Sequence, residues 1–77
     1  MNKDVLKLVR KLAGMTQKEL AQKIGVHDSF ISKLETGTKK LIPATERKIK
    51  EAFHDAGITE SDIALLIAVI HSRKDDK

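Results

Sequence analysis

Seventy-seven residues hold one small domain, because a chain this short buries too little surface for two cores, and an enzyme with a deep pocket is not expected. With no cysteine there is neither a disulfide framework nor a thiolate metal site, and no apolar run approaches the roughly 20 residues of a membrane span. The net charge of +4 is unevenly placed: residues 1–50 carry 12 Lys/Arg against 5 Asp/Glu, and residues 51–77 carry 3 against 6. A basic body suits a polyanion partner, and the acidic end implies a different task.

Only Phe30 and Phe53 are aromatic and β-branched alternation is absent, so the chain is predicted to be all-α. Asn2 is the N-cap of a first helix running to about Ala13, with Asp4 in its first turn opposing the helix dipole. Val5, Leu6, Leu8, Val9, Leu12 and Ala13 give that helix a wide apolar face. Lys3, Lys7 and Lys11 stand outside it, and Gly14 ends it.

The stretch from Met15 to Gly37, MTQKELAQKIGVHDSFISKLETG, reads as two short helices around a tight turn. Thr16, with Glu19 three residues on, forms a capping box. Leu20, Ala21 and Ile24 make one apolar stripe, and Gly25 supplies the residue that tolerates positive φ where the helix stops. Val26 plugs the turn. A second helix starts near His27 or Asp28 and runs to about Glu35, with Ile31 and Leu34 on one side and Asp28, Ser29, Ser32 and Lys33 on the other. Thr36 and Gly37 close it.

Arg10, Gly14, Met15, Thr16, Gln17, Leu20, Ala21, Ile24, Gly25, Val26, Ile31, Ser32, Lys33, Leu34, Glu35 and Gly37, at these spacings, resemble the phage repressor/Cro type of helix-turn-helix, the XRE family. The likeness covers roughly residues 6–53. It implies a five-helix, lambda-repressor-like domain whose second helix of the pair enters the DNA major groove while the first crosses the backbone. It further implies that Arg10 and Glu35 form an ion pair tying the first helix to the end of the recognition helix, the alternative being two solvated charges. Gln17 resembles the residue that contacts phosphate and braces the recognition helix; a simple capping residue is the other reading.

Asp28, Ser29, Ser32 and Lys33 fall on the base-reading positions. Lys33 suits guanine O6 and N7, and the serines suit several bases. Asp28 departs from the neutral polar residue common in the family: either it accepts from a base amino group, or it only sits on the positive end of the helix dipole. His27 replaces the usual small hydroxyl N-cap. It is either a phosphate ligand, stronger when protonated, or a surface residue. Phe30 lies between the polar and apolar faces, suited to packing at the core edge or to a thymine methyl.

After Gly37 the loop TKKLI places Lys39 and Lys40 where they either neutralise phosphates or simply solubilise the loop. Pro43 fits the first turn of a fourth helix, whose stripe is Thr45, Ile49, Ala52, Phe53 and Ala56 up to Gly57, with Leu41 or Ile42 closing the core. Arg47, Lys48 and Lys50 read as a solvated face, the alternative being that one of them near the helix start reaches a phosphate. The run TESD, Thr59 to Asp62, opens a fifth helix to about Ser72, and residues 73–77 read as a frayed tail.

Ile63 to Ile70, IALLIAVI, is apolar on every side. Residues 1–56 are therefore read as the DNA-binding core and 57–72 as a dimer contact through Ile63, Leu66, Ile67 and Ile70, the alternative being a plug for a thin core.

With no glycine-rich phosphate loop, no nucleophile–histidine–acid constellation that the sequence spacing assembles, and no two histidines at i and i+4, neither an enzyme nor a metal or other cofactor is expected. No secretory leader is expected either, which suits a cytoplasmic protein. The functional expectation is a sequence-specific transcriptional regulator of bacterial or phage origin, a homodimer on a short palindrome in double-stranded DNA, controlled by its concentration or by another protein. A second expectation, from a different class, is a protein-interaction module on the same fold, an antirepressor or antitoxin-like partner.

Overall fold

The Asn2 side chain accepts a hydrogen bond from the Val5 amide at 2.8 Å and so starts α1, Lys3–Leu12. In the computed structural model, which describes residues 1–75, four more helices follow: α2 (Gln17–Ile24), α3 (Asp28–Thr36), α4 (Pro43–Asp55) and α5 (Glu60–Asp75). No strand occurs among the described residues.

Local chemistry sets most boundaries. The Thr16 hydroxyl accepts from the Glu19 amide at 3.0 Å while the Glu19 carboxylate accepts from the Thr16 amide at 2.9 Å, so two otherwise orphaned donors of α2 are satisfied. Gly25 stops α2 at φ 76°, a left-handed conformation that costs an L side chain about 1–2 kcal/mol. Pro43 occupies the first turn of α4. At α5 the Thr59 hydroxyl accepts from the Asp62 amide at 3.2 Å and Asp62 accepts in return from the Thr59 amide at 2.9 Å.

One buried cluster holds the five helices together. Val5, Leu6 and Val9 of α1 meet Leu20, Ala21 and Ile24 of α2, Ile31 and Leu34 of α3, Ile49, Ala52 and Phe53 of α4, and Ile63 of α5. Each of the larger side chains contributes about 1.5–3 kcal/mol by leaving water. α2 packs on α3, α1 braces α3, α4 lies against α2, and α5 lies on α1.

The packing corrects several expectations. Leu12, the last residue of α1, is 57% exposed, because the chain turns away there through Gly14 and leaves it mostly uncovered, so the apolar face narrows toward that end. Leu41, not Ile42, packs on the core, and Ala56 is an exposed C-cap rather than part of the α4 stripe. Ile63 does not face outward for a second copy. It is 4% exposed, because the first turn of α5 docks on this chain's own core, and Leu66, Ile67 and Ile70 pack half-buried behind it. Among the described residues, the large apolar side chains that α5 leaves in water are Leu65 and Val69, at 65% and 48%. α5 also continues to Asp75, so residues 73–75 are helical where fraying was expected; residues 76 and 77 lie outside the described residues.

Candidate nucleic-acid interface

α3 is a short rod with two unlike sides. Ile31 and Leu34 are buried at its back. Asp28, Ser29 and Lys33 are exposed, and Ser32 is half-buried among them. His27 stands at the N-cap but its side chain makes no cap bond; it is almost wholly exposed, with Nδ1 4.0 Å from the Asp28 carboxylate. A shallow groove lined by Lys18, Ala21, Gln22 and Val26 of the α2–turn segment, with His27 and Asp28, separates the two helices at this end.

The rod is fixed from its C-terminal half. Arg10 Nε donates to Glu35 Oε2 at 2.6 Å and Arg10 Nη2 to Glu35 Oε1 at 3.2 Å, a two-pronged contact that only a guanidinium makes. Arg10 Nη1 donates to the Met15 carbonyl at 2.7 Å, and Gln17 Nε2 donates to Glu35 Oε1 at 3.1 Å. Both charged residues are buried, and among the described residues every buried side-chain nitrogen and oxygen has a partner. One carboxylate thus joins α1 and the start of α2 to the end of α3, and the same guanidinium ties in the α1–α2 turn.

Burial pushes the Glu35 carboxyl up, but hydrogen bonds from Arg10 and Gln17, aided by the charges of Arg10 and Lys7, outweigh it and hold the group below its ordinary value of 4.5. A lowered carboxyl stabilises the fold above its unfolded value and ceases to do so as pH falls through the folded one. Bonds from the Thr16 and Thr59 backbone and side chains depress Glu19 and Asp62 in the same direction. Thermal stability is therefore expected to fall on acidification below pH 4.5, with a shallower loss in Glu35→Gln, measured by circular dichroism melts on either side of that pH. An unchanged acid loss in Glu35→Gln would place the titration elsewhere.

Beyond α3 the chain stays close to it. Gly37 takes φ 85°, and a Cβ there would lie 3.3 Å from Cδ and Nζ of Lys3, whose side chain crosses from α1 over the end of α3. The Lys39 amide donates to the Lys33 carbonyl at 3.2 Å, the Thr36 hydroxyl to the same carbonyl at 3.2 Å, and the Thr36 and Thr38 hydroxyls share a 3.0 Å bond. Lys39 and Lys40 are exposed, and the Lys39 ammonium lies 5.4 Å from the centre of the half-buried Phe30 ring.

The structure thus gathers Gln17, Arg10 and Glu35 into one network and leaves His27, Asp28, Ser29 and Lys33 on the open side of α3. Lys39 is tied to α3 by its backbone, while the Lys40 side chain makes no hydrogen bond or ion pair among the described residues. Two features were not read from the sequence. Lys3 reaches Gly37 only because α1 packs on α3, and it carries no local sign that separates it from Lys7 or Lys11. The approach of Lys39 to Phe30 spans nine positions and depends on how the loop folds back.

This geometry agrees with comparison against known proteins. A family model described as Helix-turn-helix matches residues 6–47, just over half of the chain. Neither the curated proteins nor the solved structures compared with it gave a match. Five helices with a polar-fronted third helix packed against the second define an all-α, lambda-repressor-like DNA-binding domain. The chain belongs to the XRE-type helix-turn-helix family. Among the described residues no helix is long and apolar enough to cross a membrane.

Proposed function

We propose that the protein is a sequence-specific transcriptional regulator of the Cro or repressor kind, a cytoplasmic homodimer on a short palindromic operator. The observation that carries this reading is α3 itself, an open row of Asp28, Ser29 and Lys33 on a rod whose back is buried and whose end is clamped by Arg10, Gln17 and Glu35. A rigid reader keeps its donors and acceptors in register with base edges, so little ordering entropy is lost on binding. Lys33 serves as the guanine reader, Ser29 and Ser32 as adaptable partners, and Gln17, His27, Lys39 and Lys40 as phosphate contacts.

A symmetric dimer needs its two recognition helices about 34 Å apart. Leu65 and Val69, one helical turn apart on α5, offer an apolar contact for that purpose. Leu66, Ile67 and Ile70, half-buried behind them, form its rim.

Lys33→Ala is expected to cost about 1–3 kcal/mol on the cognate duplex and to relax preference at one base pair only, read by binding to a set of single-base operator variants. A uniform loss across all variants would make Lys33 a phosphate contact instead. The function itself is tested by gel shift on DNA flanking the chain's own gene, with a salt series. A discrete complex whose affinity falls steeply with salt supports the reading, and no complex at low salt rejects it. The exposed carboxylate of Asp28 on the front of α3 favours one competitor, a protein-interaction module on the same fold, and that second outcome would select it.

A further inference from the structure

Phe30 is only half-buried on α3, and the Lys39 ammonium lies 5.4 Å from its ring centre, within the distance at which a cation is attracted to an aromatic face. Lys39 is held twice, since its amide also donates to the Lys33 carbonyl one turn further along the same helix. Its neighbour Lys40 has neither restraint: its side chain is exposed, with no hydrogen bond or ion pair among the described residues. Thus two adjacent lysines of the same loop differ in freedom, and only one is fixed beside the recognition helix.

We infer that Phe30 is a positioning residue, whose ring holds the Lys39 ammonium next to the reading face of α3 so that it meets a DNA phosphate already ordered. This rests on the DNA-binding reading above. An ammonium carries three N–H donors; the ring occupies one side and leaves the others for phosphate oxygens, so the two contacts coexist. A free lysine gives up side-chain entropy when it takes hold of a phosphate, and the ring removes part of that loss in advance. Phe30 then affects affinity without touching a base, and it does so only through residue 39.

A double-mutant cycle tests this, with a measurement of the free protein beside it. Phe30→Leu keeps an apolar side chain at the core edge and removes the ring. It is expected to weaken binding about two- to five-fold in the parent chain, to do nothing in a Lys39→Ala background, and to leave the salt slope unchanged. Lys39→Ala is expected to lower that slope by about 0.9. Phe30→Tyr, which keeps the aromatic face, is expected to bind like the parent. In the free parent protein, the side-chain methylene protons of Lys39 should be shifted upfield by the ring relative to those of Lys40, which needs no variant and no DNA.

A Phe30→Leu loss that persists in Lys39→Ala makes Phe30 a base contact or a packing residue and overturns the inference. So does tighter binding by Phe30→Leu, or Lys39 protons indistinguishable from those of Lys40. Absence of DNA binding by the parent at low salt rejects the function instead, and the upfield shift would survive it.

Discussion

Arg10→Ala is expected to destabilise the fold by about 3–5 kcal/mol, because it leaves the Glu35 carboxylate buried without its main partner. Small domains hold roughly 0.05–0.15 kcal/mol per residue, so a chain of this size loses about a quarter or more of its stability. At about 4–8 °C per kcal/mol the melting temperature falls far enough to be obvious in a thermal scan. Replacing both partners by apolar residues of similar size, Arg10→Met with Glu35→Leu, is expected to recover most of the loss, since no unpaired charge then remains. A single-mutant cost below about 1 kcal/mol would give the pair only the weight of an exposed ion pair. In that case α3 would be held by Ile31 and Leu34 alone.

The second large effect concerns assembly. Leu65→Gln with Val69→Gln is expected to leave the fold intact, because both side chains already face water and glutamine favours helix without changing charge. If these residues join two copies, the variant is a monomer by sedimentation at micromolar concentration. Its affinity for a two-half-site duplex then falls by about 10²–10⁴, the part supplied by linking two binding events. Ile63 behaves oppositely: Ile63→Ala creates a void in a buried site and is expected to lower stability rather than to change mass. A double glutamine variant that stays dimeric would move the interface off α5.

How much of this was legible in the sequence follows the range of each interaction. The caps at Asn2, Thr16 and Thr59 involve partners three residues away, and residue types alone identify them. The two sides of α3 follow from helical periodicity, since Ile31 and Leu34 are apolar and Asp28, Ser29 and Lys33 are not. α5 is different. From Ile63 to Ile70 it is apolar all round, so no period says which residue faces inward. The docking of its first turn puts Ile63 in the core and leaves Leu65 and Val69 in water. Leu12 misled for a related reason: its helical phase points to the core, but the helix ends there. The Arg10–Glu35 pair, 25 positions apart, was legible only through the family resemblance, and the addition of Gln17 to the same carboxylate and the seating of Lys39 over Phe30 depend on tertiary placement that no local pattern encodes.

The reader role of α3 is tested most directly by titrating isotope-labelled protein with a bound operator duplex and following its backbone amides by nuclear magnetic resonance. The largest perturbations are predicted at Gln17, at residues 27–33 and at Lys39 and Lys40, with residues 60–70 little affected by DNA. Perturbations confined to α5, or spread evenly over every exposed lysine, would contradict it.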